Sequence, residues 1–183
     1  MTTAPAGHSL VRESRAGAVP FTIRLIEATD VHHLLAAVAD LAAEVFTRPP
    51  WAEPRETARA VADRLAADLL MPGFALAAAL QGERLHGFAY GMRCSRLALA
   101  ASRPPRGDFT LKELAVLPSM RGCGLGARLH DTILTAAPAT PWWLSTHPQA
   151  VAALGLYRHR GWRVAALHRT HEHTRLIMRR ESR

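Results

Sequence analysis

The stretch "MRGCGLGARLHDTIL", residues 120–134, decides how this chain is read. Three of its twelve glycines fall at alternate positions, Gly122, Gly124 and Gly126, directly behind Arg121. Leu125, Leu129 and Ile133 then recur at four-residue steps, the spacing of one helix face. Upstream, "FTLKELAVLP" (109–118) reads as a strand. A strand that turns through glycines into a helix leaves the helix's first backbone N–H groups unpaired, at the positive end of its dipole. Without Cβ atoms in the way, a phosphate can approach those groups closely, and the backbone can take left-handed angles. The direct physical reading is an anion site at a helix N-terminus.

Working outward, "FTIRLIEA" (21–28) alternates as a strand does, and Thr29 or Asp30 is placed to cap the helix that follows. Val31, Leu34, Leu35, Val38, Leu41, Ala42 and Val45 give that helix one apolar face through residue 46. "TRPPWAEP" (47–54) breaks it, and a second helix runs from Pro54 to the Pro72-Gly73 stop. "FALAAALQGERLHGFAYGMRC" (74–94) predicts a hairpin around Gln81-Gly82-Glu83, and "SRLALAASRPPRGD" (95–108) a long loop. The helix after the glycines stops by Pro138, and "PWWLSTH" (141–147) is a strand. Pro148 opens a further helix with Ala150, Ala153, Leu154 and Tyr157 on one face, closed by Gly161. "WRVAALHRTHEHTRLIMRR" (162–180) predicts a closing antiparallel pair turning near Thr170-His171. The order β-α-α-β-β-β-α-β-α-β-β, without repeat or linker, predicts one α/β (α+β) domain over residues 21–180, a mixed sheet flanked by about four helices. Residues 1–20 read as a flexible tail.

Bulk composition narrows the function classes. The chain has 183 residues, 49% of them hydrophobic and 21% charged, as ordinary globular domains do. A net charge of +8 invites a nucleic-acid reading, but the basic residues are scattered and never form a run of four. Cys94 and Cys123 lack metal-ligand spacing and suggest no disulfide framework, which favours a reduced cytoplasmic setting. The longest apolar stretch, "FALAAAL" (74–80), is too short to cross a bilayer. His168, His171 and His173 cluster near the last turn, yet no carboxylate or Cys constellation completes a metal site, so an exposed turn is expected and no metal.

Which anion the loop holds is then a matter of elimination and likeness. A nucleoside-triphosphate loop needs Lys and Ser or Thr after its glycines, and none is there. Gly122-x-Gly124-x-x-Ala127 matches the letters of the dinucleotide fingerprint, but no Asp or Glu follows Asp131 until Glu172. Arg121-Gly122-Cys123-Gly124-Leu125-Gly126 instead fits [RQ]-x-x-G-x-[GA] behind the "LKELAVLP" strand, and resembles motif A of the GNAT superfamily of acyl-CoA-dependent N-acetyltransferases. "AVAALGLYRHRGWRV" (150–164) resembles the same family's motif B, with Ala153, Leu156, Tyr157, Gly161 and Trp162 at matching places and Ala150 where the family often has Asn. "PPW" at 49–51 is also similar to some bacterial members.

The resemblance implies a mostly antiparallel seven-stranded sheet and direct transfer of an acetyl group from acetyl-CoA to a primary amine of a small molecule or peptide. It implies that backbone amides of Arg121, Gly122, Cys123, Gly124, Leu125, Gly126 and Ala127 hold the pyrophosphate of coenzyme A. Backbone groups of Leu114, Ala115 and Val116 would meet the pantetheine arm, with the sheet opening between "ELAV" and "WWLS". Tyr157 takes the family's tyrosine position as proton donor to the departing thiolate, and Glu113 is the candidate base. Arg121 and Arg128 offer guanidinium groups to phosphate. Trp142 and Trp143 fall on opposite strand faces, one in the core and the other toward the acceptor pocket. That pocket is expected from the first two helices and from residues 47–53 and 95–107. Homodimer formation through sheet edges is a further expectation of the resemblance, and a non-catalytic acyl-CoA-binding or regulatory module is the alternative reading.

Overall fold

The computed structural model describes residues 21–169 and 174–181. Seven strands form one sheet in the order β1-β2-β3-β4-β5-β7-β6. They are β1 (Thr22–Ile26), β2 (Ala75–Gln81), β3 (Arg84–Arg93), β4 (Phe109–Val116), β5 (Trp142–Thr146), β6 (Arg163–Arg169) and β7 (Thr174–Arg180). Every neighbouring pair is antiparallel except β4 and β5, which run parallel. The seven-stranded, mostly antiparallel sheet is therefore as expected. The tail at 1–20, the turn at Thr170-His171 and His173 lie outside the described residues.

Six α-helices accompany the sheet among the described residues: α1 (Leu35–Phe46), α2 (Arg55–Arg59), α3 (Val61–Asp68), α4 (Arg96–Ala100), α5 (Leu125–Leu134) and α6 (Val151–His159). Four were expected. The second helix is broken at Ala60, whose ψ of −4° departs from the regular helical value of about −42°, and a helical turn stands within the expected loop 95–108. The first helix begins as a 3₁₀ segment, Ala28–Leu34, and neither Thr29 nor Asp30 caps it; Glu27 is the N-cap, without a side-chain bond. The last helix starts not at Pro148 but at Val151. Its end is a Schellman motif: Gly161 takes φ +80°, its N–H donates to the Arg158 carbonyl, and the Trp162 N–H donates to that of Tyr157.

Two cores sandwich the sheet. Alternation along β2 sends Leu76 and Ala78 to the α1 and α3 side, with Val38, Leu41, Leu65, Phe88 and Tyr90. Ala75, Ala77 and Ala79 go to the α5 and α6 side, with Leu125, Leu129, Ile133 and Trp162. Small residues on that face let α5 sit close: a Cβ at Gly87 would stand 2.9 Å from Leu129 Cδ1. Burying Leu125, Leu129 and Ile133 stabilises the docked helix by roughly 1.5–3 kcal/mol per side chain.

One irregularity in β4 decides which way its later side chains face. Tyr90 pairs with Glu113, but Gly91 pairs with Leu111, so Lys112 is an extra residue, a β-bulge. Phe109 and Leu111 face the α5 side; past the bulge, Leu114 and Val116 do so, while Ala115 and Leu117 join the α1 core. The bulge reverses the phase and turns Glu113 toward α1 and α3.

Candidate functional site

β4 and β5 touch only at their N-terminal ends, Phe109 with Trp142, Thr110 with Trp143 and Leu111 with Leu144. Each keeps its other neighbour over its whole length, β3 for β4 and β7 for β5. Past Leu111 the two strands therefore part. On the side away from β3, the backbone of the Leu114–Val116 stretch has no partner on β5 and faces a gap instead.

The gap opens into a cleft of about 480 Å³. Leu114, Ala115 and Val116 form its floor. Arg121, Gly122, Gly124, Leu125, Gly126 and Ala127 form one wall, and Ala150–Ala153 with Leu156 the other. Val45, Pro49, Pro50 and Trp51 close the remaining side. All but one of the loop and strand residues expected to hold coenzyme A are thus brought together. Cys123 is the exception: its thiol turns back to donate to the Met120 carbonyl at 2.9 Å, and only its backbone belongs to the loop. Arg128 is exposed and does not line the cleft.

The glycine wall is shaped for an anion. Gly122 and Gly124 take φ of 79° and 78°, a region that strains any other residue, and a Cβ on either would meet open space. Gly124 is the N-cap of α5, no side chain caps the helix, and no acidic residue stands in its first turn. The first intrahelical bond is Arg128 N–H to the Gly124 carbonyl at 3.1 Å, and the Arg121 N–H donates to the Pro118 carbonyl at 3.3 Å, so the amides from Gly122 to Ala127 remain for a ligand.

Tyr157 is 6% exposed and stands in the α5–α6 core, a cluster against which Ala153 and Leu156 of the cleft wall pack; it does not itself line the cleft. Its ring meets Trp162 at 5.9 Å and His130 at 6.2 Å between centroids. Burial, and then the negative charge of Glu113, push its phenol upward, so it keeps its proton across the physiological range. Behind it runs a chain of hydrogen bonds. Trp162 Nε1–H donates to His130 Nε2 at 2.8 Å, His130 Nδ1 meets Asp131 at 2.9 Å, and Arg160 holds Asp131 through two bonds of 2.7 and 2.9 Å. Sequence reading missed this chain, because nothing local links Arg160 to an acid 29 positions away.

Glu113 opens on the α1 side into a separate pocket of about 200 Å³, with Phe46, Trp51, Glu53, Val61, Lys112, Ser145 and Arg175. Loss of solvent raises its carboxyl to about 7, although Arg64 at 3.7 Å pulls the other way. Its carboxyl therefore sits in the range where a side chain both takes and gives protons. Trp51 borders both pockets.

Two expectations about the acceptor side are corrected. Trp143 is 1% exposed and donates to Asp108 Oδ1 at 2.9 Å, Trp142 is 2% exposed, and neither lines the cleft or the Glu113 pocket. Residues 95–107 do not line either pocket; α4 covers Trp143 with Leu97, Ala98 and Ala101. Glu53 and Arg175 carry no motif in the sequence, and only the Pro-rich break at 47–54 points near the first. His168 is exposed on β6. The scattered arginines do converge in space: Arg103, Arg158, Arg160, Arg163, Arg179 and Arg180 line a separate groove of about 1080 Å³ beside Asp131 and Glu181. Among the described residues no helix is long and apolar enough to cross a membrane.

Solved structures with this architecture are numerous. A protein from Pyrococcus horikoshii OT3, PH1933, is similar with a TM-score of 0.69 at 16% identity, over 90% of this chain and 99% of that one. The ribosomal-protein-S18-alanine N-acetyltransferase of Escherichia coli gives 0.61 at 20% identity, over 87% and 92%. The PaiA N-acetyltransferase of Thermoplasma acidophilum, solved in complex with coenzyme A, gives 0.62 at 15% identity, over 88% and 99%. No curated protein sequence matches this chain. At these identities the likeness is one of fold. The family rests on sequence: the model described as "Acetyltransferase (GNAT) family" matches residues 35–162, a span that holds the parted strands, the glycine wall and Tyr157. The chain belongs to the GNAT acetyltransferase family.

Proposed function

We propose that this protein is an acetyl-CoA-dependent N-acetyltransferase that moves the acetyl group directly to a primary amine. One observation carries the reading: the unpaired length of β4 and the uncapped N-terminus of α5 share a single cleft. In this reading the amides from Gly122 to Ala127 hold the diphosphate, with the Arg121 guanidinium beside it. The backbone of Leu114, Ala115 and Val116 takes the place of a strand partner for the pantetheine amides. Acetyl-CoA supplies an activated thioester, and a cleft that orients it against an amine contributes on the order of 7–11 kcal/mol at best.

The amine enters from the Glu113 side. Its nitrogen must be unprotonated to form the new C–N bond, and Glu113 takes the proton it sheds. The C–S bond breaks as that bond forms, and Tyr157 returns a proton to the sulfur. A carboxyl near 7 and a phenol held neutral by burial suit these opposite duties. The absence of Asn at position 150 removes one polar group, but Ala150 still lines the cleft. The location proposed for this activity is the cytoplasm.

Calorimetry with coenzyme A and acetyl-CoA, followed by thiol release over a panel of amines, tests the reading. Saturable binding and turnover on at least one amine are expected. Binding without turnover on any amine leaves the non-catalytic acyl-CoA-binding module, and no binding at millimolar ligand refutes both.

A further inference from the structure

The small pocket beside Glu113 has an unusual charge pattern. Glu53 and Glu113 face Lys112 and Arg175 across about 200 Å³, so acids and bases balance. A pocket for a diamine or polyamine would carry excess acid, and one for a phosphate or a dicarboxylate excess base. Each charged group has a counter-ion, but none is close. Arg175 lies 3.9 Å from Glu53, Arg64 3.7 Å from Glu113, and Lys112 3.7 Å from Asp68. Hydrogen bonds between such groups form at about 2.7–3.2 Å, so these pairs leave donors and acceptors open to a third party. The four side chains are between 23 and 34% exposed, which leaves them largely dehydrated and lining one pocket.

We infer that the acceptor is a free amino acid, its ammonium group received by Glu113 and Glu53 and its carboxylate by Arg175 and Lys112. This rests on the N-acetyltransferase reading above. The size agrees: the pocket is below the roughly 300–1,000 Å³ of sites for drug-sized ligands, and suits one small head group. Phe46, Trp51 and Val61 give the rest of the lining room for an aliphatic or aromatic portion. A peptide N-terminus or a protein lysine brings an amine without the neighbouring carboxylate, and would leave Arg175 and Lys112 with nothing in exchange for their water.

Matched triplets test this: an amino acid, its carboxamide, and the amine left after removing the carboxyl group, each with acetyl-CoA in a thiol-release assay. The amino acid is expected to exceed both others in kcat/KM by about tenfold or more, since a site built to bond a group rejects analogues that lack it. Arg175→Gln lowers that ratio at least about fivefold, while Arg175→Lys keeps most of it. Calorimetry of the same amino acid on the CoA-loaded wild type and on Arg175→Gln runs in parallel. Equal or better rates with the carboxamide, the amine or a peptide overturn the inference, as does a ratio that survives Arg175→Gln. If coenzyme A binds but no amine turns over, the enzyme reading falls and calorimetry decides the pocket alone. Saturable amino-acid binding weakened by Arg175→Gln then upholds it, and its absence overturns it.

Discussion

Replacing Glu113 by Gln should make the protein a poorer enzyme and a more stable one. The folded protein raises this carboxyl from 4.5 to about 7, so it binds the proton more tightly than the unfolded chain does. The sign follows from linkage: as pH rises from about 4.5 to about 7 the unfolded state ionises first, and stability is lost over that window. A shift of this size corresponds to about 3 kcal/mol at most. The side chain is 24% exposed, and solvent screening brings the expected effect to about 1–3 kcal/mol. Gln mimics the neutral acid, so the variant keeps what the wild type loses. Urea denaturation of both proteins at about pH 5 and about pH 8.5 should show the variant's advantage growing by that amount at the higher pH. In the wild type, kcat/KM should rise with pH through about 7. In Glu113→Gln it should be about tenfold or more lower and lack that limb. A variant with wild-type rates at every pH, or with the same stability advantage at both, would refute the reasoning.

Other expectations are briefer. Tyr157→Phe should lower kcat by about tenfold or more with acetyl-CoA affinity unchanged, measured by steady-state kinetics beside calorimetry. Gly124→Ala, at φ +78°, should cost about 1–2 kcal/mol in urea and weaken coenzyme A binding, because strain at the N-cap moves the amides that face the cleft. His130 is fully buried and accepts from Trp162 through Nε2, and burial lowers its pKa below 6.5. Its contribution is therefore present above the unfolded value and fades as pH falls below it. His130→Phe should remove that acid sensitivity, and His130→Ala should cost about 2–4 kcal/mol at neutral pH, both read from denaturation midpoints.

What could be read from the chain alone is local. The strand, glycine loop and helix from 109 to 134 span a few turns of backbone, so apolar spacing and the missing Cβ atoms state both the geometry and the anion it suits. The Gly161 helix stop is local in the same way. Tertiary structure decided the rest. Strict alternation from Phe109 would put Glu113 on the α5 face; pairing with β3 forces Lys112 out as a bulge and turns the carboxyl to the other side. Its pocket joins residues 46–61 to Ser145 and Arg175, and the arginine groove joins position 103 to 158–163 and 179–180. Trp143 looked available until α4 was laid over it. Periodicity tells a side chain its phase along its own element, but which neighbour it meets, and how far water is excluded there, follows only once the strands have paired and the helices have docked.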